Sequence, residues 1–155
     1  DSLLNMSSYK ARENALSLLL QIYGRSGRNG FGEVVIETKN EEFFKYYLEE
    51  SNYKEFLNSE LEFRKDLYPP FVKLARVVLS STNSLKIKEE LNEIVKDLKN
   101  NKDIEVVGFG ECAIFKIANK YRYEVIIRSK EVKAILNALH YLKSTNISID
   151  MDTIY

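Results

Sequence analysis

Two adjacent prolines, Pro69 and Pro70, interrupt the chain near its middle. Proline fixes its own backbone angle, lacks an amide hydrogen and holds the preceding residue extended, so neither a helix nor a central strand runs through such a pair. The residues before and after the prolines must therefore form separate secondary-structure elements. We predict a domain boundary at residue 70.

The residues after the prolines show strand-like and helix-like hydrophobic periods in turn. Strand-like runs cover 71–80, 104–116 and 121–128 and begin again at Ile147, and amphipathic helical stripes cover 84–100 and follow Ser129. Ser84 and Ser129 are predicted N-caps, and Gly108 and Gly110 predict a bulge in the second strand. The order βαββαβ predicts an α+β fold with two helices on one face of a four-stranded, mainly antiparallel sheet.

The third strand alternates between apolar and charged residues over most of its length, which fixes its orientation. One face is expected to pack against the helices and the other to be solvated. The inward residues are Tyr121, Tyr123, Val125 and Ile127, and the outward residues are Arg122, Glu124 and Arg128.

The residues before the prolines have a less regular pattern. A helix is predicted over 10–23, ending at Gly24, followed by a glycine-rich loop to Gly32 and a short strand over 33–38. Two further helical stretches are predicted between 41 and 67, broken near 50–52. The sequence predicts one stripe on the second of these helices, made of Tyr53, Phe56, Leu57, Leu61 and Arg64. We therefore divide the chain into a segment 1–40, a helical connector 41–70 and an α+β domain 71–155.

Composition restricts the possible functions. The 23 basic and 23 acidic residues balance, so any contact with nucleic acid must come from a local basic patch. One cysteine, Cys112, and one histidine, His140, exclude an internal disulfide and a zinc site built from several cysteines or histidines. A reducing, cytoplasmic compartment is expected. The absence of a long uncharged apolar run gives no indication of a membrane partner.

The most distinctive short string is Q-x-x-G-R-x-G-R, which places Gln21, Arg25 and Arg28 around two glycines. Arginines in this arrangement can bind a polyphosphate and stabilise developing negative charge. The alternative is a solvated turn at the end of a helix.

This string resembles motif VI of superfamily 2 helicases, and the surrounding stretches resemble one family in particular. Residues 7–38, 60–81, 104–129 and 147–154 are similar, in this order, to the C-terminal region of the PriA family of primosomal replication-restart helicases, also called primosomal protein N-prime. The most specific matches are Tyr68-Pro69-Pro70-Phe71, Tyr121-Arg122-Tyr123 and Ile149-Asp150-Met151-Asp152.

The resemblance implies an S10-like, ferredoxin-like C-terminal domain preceded by a remnant of a RecA-like helicase lobe. It implies that Gln21, Arg25 and Arg28 belong to an ATP cleft, with both arginines facing the γ-phosphate. The phosphate loop, the acidic magnesium-binding motif and the cysteine-rich zinc insertion of that family do not occur in the sequence. We therefore expect a C-terminal fragment that holds no cofactor and has no ATPase activity alone. ATP, magnesium and zinc are implied for the full-length protein only.

A second candidate site is the hairpin from Lys116 to Lys130. It carries five basic residues against the single acid Glu124, namely Lys116, Lys120, Arg122, Arg128 and Lys130. Such a cluster can bind phosphates or an acidic peptide, whereas the neighbouring tyrosines are expected in the core rather than stacked on bases. The resemblance places a pocket for the acidic C-terminal tail of single-stranded DNA-binding protein near this hairpin, with Lys120 at its basic position.

Two functions from different classes follow. The first is a C-terminal fragment of an ATP-dependent 3′ to 5′ DNA helicase that restarts replication forks, the fragment itself being a binding module. Its implied partners are forked or single-stranded DNA, the tail of single-stranded DNA-binding protein and other primosome proteins. The alternative is an independent S10-like or ferredoxin-like domain that binds RNA or protein, in which the motif VI string is fortuitous.

Overall fold

A computed structural model describes residue 4 and residues 8–26, 32–49, 52–142 and 146–152. These residues divide into two compact units, one ending at Lys65 and the other beginning at Asp66. The elements in chain order are α1 (Ala11–Ser26), α2 (Glu41–Tyr47), α3 (Tyr53–Arg64), β1 (Lys73–Ser81), α4 (Ser84–Lys99), β2 (Glu105–Ile117), β3 (Lys120–Ser129), α5 (Val132–Leu139) and β4 (Ile147–Met151).

The second unit contains a four-stranded sheet with the strand order β2-β3-β1-β4. Every neighbouring pair is antiparallel. Its elements follow one another as β1, α4, β2, β3, α5 and β4. The mixed α and β class and the antiparallel four-stranded sheet are therefore confirmed.

The predicted inner face of β3 is also confirmed. Tyr123, Val125 and Ile127 are buried in one core cluster with apolar residues of both helices, among them Ile87 and Ile135. Tyr121 lies on the same face, where its ring centroid is 5.3 Å from that of Phe115. Because side chains alternate along a strand, this burial fixes the register of β3.

The two predicted helix caps are wrong. The N-cap of α4 is Asn83, whose Oδ1 accepts a hydrogen bond from the Lys86 amide at 3.0 Å, and Ser84 is the first helical residue. The residue before α5 is Glu131, which forms no side-chain cap. Ser129 ends strand β3 instead, and its hydroxyl donates to the Asp103 carbonyl at 2.8 Å.

The first unit departs from prediction in three places. Helix α1 continues past Gly24 to Ser26, where the Ser26 hydroxyl donates to the Tyr23 carbonyl at 2.8 Å and so occupies an acceptor of the last turn. Residues 33–38 form no strand, because no described strand pairs with them. Of its predicted stripe, helix α3 does bury Phe56 and Arg64, but it exposes Leu57 and Leu61 and buries Glu60 instead.

Strand β2 carries two irregularities against β3. The first, between Val106 and Gly108, confirms the bulge predicted from the glycines. The second was not predicted: Glu111 pairs with Tyr123 and Lys116 with Tyr121, so residues 112–115 all lie opposite Arg122 alone. A bulge of this size bends a strand and re-aims its side chains.

None of the helices in the described residues is long and apolar enough to cross a membrane.

Candidate functional site

The β2–β3 hairpin closes in a two-residue turn. Ile117 pairs with Lys120, and between them Ala118 and Asn119 have φ angles of 47° and 63°. Two consecutive positive φ angles are the signature of a type I′ turn, whose twist matches that of the strands it joins. We call residues 112–123, the turn with the flanking ends of both strands, the hairpin tip.

Aromatic contacts hold the hairpin tip in place. The Phe115 ring lies 5.3 Å from the rings of both Tyr121 and Tyr123, edge-on to the second. Tyr123 belongs to the core of the unit, and Phe115 packs against it. The Lys116 ammonium lies 4.8 Å from the centroid of the Tyr121 ring, a cation–π contact that keeps its charge at the tip.

Every charged residue of the hairpin tip is cationic. The tip contains Lys116, Lys120 and Arg122 and no acidic residue. Among the described residues none of these three forms a salt bridge, although eight such pairs occur elsewhere. Alternation along β3 places Lys120 and Arg122 on the face opposite Tyr121, so the tip presents cations on both faces of the hairpin.

The nearest acid on β3, Glu124, is neutralised by a neighbouring strand. Its Oε2 accepts a hydrogen bond from Arg76 Nε at 2.7 Å and lies 2.5 Å from Arg76 Nη2. Both side chains are largely buried, which strengthens the pair relative to one in water. Glu124 therefore does not cancel the charge of Lys120 or Arg122.

Arg128 and Lys130 lie apart from the tip, so the five predicted basic residues do not form one patch. Lys120 and Lys130 are separated by ten residues of extended chain, roughly 33 Å. Arg128 makes two hydrogen bonds to the carboxylate of Glu105, at 2.7 and 2.8 Å, and the Lys130 ammonium lies 3.5 Å from Asp66. Hydrogen bonding to Arg128 lowers the pKa of Glu105 from its ordinary value.

Cys112 and His140, the residues considered for thiol and metal chemistry, make structural contacts. Cys112 is buried, and burial, with Glu124 nearby, raises the pKa of its thiol to about 11. His140 Nδ1 lies 2.9 Å from the Asn137 carbonyl oxygen. No group of three or more histidine, cysteine or acidic side chains able to hold a metal ion occurs in the described part of the chain.

Two of the three motif VI residues, Gln21 and Arg25, lie near the end of α1. Gln21 and Arg25 are exposed one turn apart, and Gln21 Nε2 donates to the Ser17 hydroxyl at 3.5 Å. Arg28 lies outside the described residues. These side chains can donate to phosphate oxygens, but the described residues bring no cluster of carboxylates together that would hold magnesium beside them.

Sequence reasoning missed Ile114 and Ile117 at the hairpin tip. Their side chains are 62% and 47% exposed. Ile114 lies within the predicted strand 104–116, and Ile117 lies just after it. The available signal was the break in alternation over Ile114, Phe115 and Ile117, which cannot all face one core.

Comparisons of the sequence with known proteins identify a family. A sequence model described as "Primosomal protein N C-terminal domain" matches residues 65–154. The replication restart protein PriA of Helicobacter pylori strain 26695 is 33% identical over 99% of this chain and 25% of its own length. The protein of the same name from Bacillus subtilis strain 168 is 30% identical over 98% of this chain and 21% of its own length.

The chain thus spans about a quarter or less of the length of these relatives. The family match covers the whole four-stranded sheet, both helices that cover it and the hairpin tip. The chain belongs to the primosomal protein N C-terminal domain family.

Proposed function

We propose that the chain is a DNA-binding module of a replication restart protein and that it contacts DNA phosphates through the hairpin tip. One observation carries the proposal: Lys116, Lys120 and Arg122 are the predicted site cations that lack a carboxylate partner among the described residues, and they lie together. Unpaired, clustered cations release counterions from a phosphate backbone, which drives binding that weakens with salt.

The test is DNA affinity of the whole chain across a salt series. We expect Lys120→Ala and Arg122→Ala each to weaken binding to single-stranded and forked DNA by about tenfold, and each to reduce the slope of log affinity against log salt by about one. Fluorescence anisotropy of a labelled oligonucleotide measures both quantities.

Two matched variants complete this experiment. Lys88→Ala removes an exposed lysine from α4, and Arg128→Ala removes an arginine already bound to Glu105. Both are expected to leave affinity within twofold of the parent chain. Equal losses from Lys88→Ala and Lys120→Ala would show diffuse charge attraction, and no loss from Lys120→Ala or Arg122→Ala would place the DNA site elsewhere.

A second candidate ligand is the acidic C-terminal tail of single-stranded DNA-binding protein. The Arg76–Glu124 pair favours it, because the balanced Glu124 does not repel an acidic peptide at Lys120. A synthetic tail peptide titrated by the same method should bind the parent chain and lose affinity in Lys120→Ala, but not in Lys88→Ala. Unchanged peptide affinity in Lys120→Ala would remove this candidate.

The resemblance in sequence extends the proposal to the longer protein. There, the chain is the C-terminal part of an ATP-dependent 3′ to 5′ DNA helicase of the primosome, located in the cytoplasm and using ATP, magnesium and zinc. Gln21, Arg25 and Arg28 contribute donors to its ATP cleft. The exposed positions of Gln21 and Arg25 near the end of α1 support a role completed by residues beyond these 155.

The strand order supports a finer assignment of the fold. In the βαββαβ unit, β1 lies between β3 and β4, and β3 lies between β1 and β2, the arrangement of a ferredoxin-like or S10-like sheet. We assign residues 71–155 to this domain, 41–70 to a helical connector and 1–40 to a RecA-like lobe remnant. Limited proteolysis with mass spectrometry tests these boundaries, and protection across residue 70 would contradict them.

A further inference from the structure

The hairpin tip carries two large aliphatic side chains in contact with water. Ile114 and Ile117 are three residues apart on β2, within roughly 10 Å of each other along the strand. Exposed aliphatic surface of this kind gains nothing for the isolated domain, since its burial is what stabilises a fold. Its grouping with Lys116 and Lys120 indicates a ligand that is apolar and anionic at once.

The tip is also pre-organised. Three features fix the backbone that carries both isoleucines. They are the two-residue turn, the contacts of the Phe115 ring with Tyr121 and Tyr123, and the contact of Lys116 with Tyr121. A surface already ordered loses less conformational entropy on binding than a flexible loop does.

The distribution of charge selects among ligands. The cations lie on both faces of the hairpin, Lys116 on the Tyr121 face and Lys120 with Arg122 on the other. Ile117 lies between Lys116 and Lys120 along the chain, and Ile114 lies two residues before Lys116. The end of a DNA duplex has matching chemistry, because its terminal base pair is a flat apolar surface between two phosphate backbones. An extended acidic peptide presents a single chain and would need cations on one face only.

We propose that the hairpin tip is a wedge that places Ile114 and Ile117 against the terminal base pair at the branch point of forked DNA, with the three tip cations on the flanking phosphates. Aliphatic side chains inserted at base steps unstack them in this way in other DNA-binding proteins. The inference rests on the proposed function, since it names the DNA feature that the same tip recognises.

The experiment uses three DNAs of the same base composition. The first is a fork that carries 2-aminopurine beside the branch point, the second is a duplex whose ends are both closed by hairpin loops, and the third is a single strand. The 155-residue chain should bind the fork more tightly than the capped duplex and raise 2-aminopurine fluorescence, which reports unstacking. The double substitution Ile114→Ser with Ile117→Ser should lower fork affinity by roughly tenfold and abolish the fluorescence change. Its affinity for the capped duplex and the single strand should stay within twofold.

Leu136→Ser is the matched control, because Leu136 is an aliphatic residue 55% exposed on α5, the helix that follows the end of β3 opposite to the tip. It should behave as the parent chain does. Circular dichroism of each variant establishes that the fold is retained, as expected for exposed positions.

Each outcome supports or overturns one statement. If the parent chain binds none of the DNAs, the proposed function and the wedge both fail. If it binds the fork but the isoleucine variant keeps the fork preference and the fluorescence change, the wedge fails while the proposed function stands. If the isoleucine variant loses affinity for an acidic tail peptide and not for the fork, the tip is a peptide site and the wedge is overturned.

Discussion

Ala118 occupies a backbone conformation that suits glycine. It is the first residue of the β2–β3 turn, with a φ of 47°, where a side chain with a Cβ atom is strained by about 1 kcal/mol. We expect Ala118→Gly to raise the free energy of unfolding by about 0.5 kcal/mol, after allowing for the greater entropy that glycine gives the unfolded chain. Chemical denaturation followed by circular dichroism measures the change.

Ala113→Gly is the matched control for that turn. Ala113 is exposed on the same strand and is not among the residues with positive φ. The substitution should therefore lower the free energy of unfolding by about 0.5 to 1 kcal/mol, as glycine does within a strand. Effects of the same sign at both positions would contradict a strained turn at Ala118.

Sequence predicts best the residues of a strand whose side chains alternate between a buried and a solvated face. Tyr123, Val125 and Ile127 were assigned to the core from alternation alone, because a strand buried on one face admits a single register. The charge partners were not predictable in this way. Arg76 on β1 reaches Glu124 on the neighbouring β3 diagonally, and Glu105 on β2 lies directly opposite Arg128. Both pairs therefore depend on the register between strands.

At the scale of elements, α1 and α3 are joined by a buried charge cluster. Arg64 Nη2 lies 2.6 Å from Glu13 and 3.5 Å from Glu60, and Glu60 also lies 3.1 Å from Arg12. The Glu60 side chain is only 4% exposed. The predicted stripe of α3 includes Arg64 but has Leu57 and Leu61 where the structure buries Glu60. Burial of Glu60 and Arg64 is possible because each charge has its partner on the other helix.

We expect Arg64→Leu to destabilise this helix pair by about 3 kcal/mol, since it leaves the buried Glu60 carboxylate with less compensation. Adding Glu60→Leu should recover most of that loss, because a buried ion pair replaced by apolar residues costs little. Urea denaturation of the two variants, monitored at 222 nm, gives both values.

Lys65→Ala is the control for the charge cluster. Lys65 is adjacent to Arg64 but lies on the surface, 3.9 Å from Glu62, which is also exposed. Its loss should change the free energy of unfolding by less than about 0.5 kcal/mol. A similar loss from Lys65→Ala and Arg64→Leu would mean that helical charge in general, rather than the buried cluster, stabilises the unit.

At the scale of the whole molecule, the net charge is zero, but basic and acidic residues are distributed unevenly along the chain. Residues 1–70 contain 9 basic and 12 acidic residues, which leaves 14 and 11 for residues 71–155. Residues 71–155 thus have a small positive excess. Lys73, Arg76, Arg128 and Lys130 pair with acids, whereas the three cations of the hairpin tip have no carboxylate partner among the described residues. Total charge could not have located this site; only the pairing shows where charge remains uncompensated.

The motif VI string leads to a prediction about catalysis by the whole chain. Gln21 and Arg25 offer hydrogen-bond donors, but the 155 residues include no phosphate-loop pattern to bind the triphosphate and position it for attack. We therefore expect the chain to release no phosphate from ATP above background, with or without forked DNA. In the longer protein, Arg28→Ala should lower kcat by roughly a thousandfold if that arginine stabilises the transferring phosphoryl group, whereas Lys39→Ala should not. DNA-stimulated hydrolysis by the 155-residue chain would contradict this expectation and show a complete ATP site within it, whereas normal turnover of the Arg28 variant would remove that arginine from the ATP site.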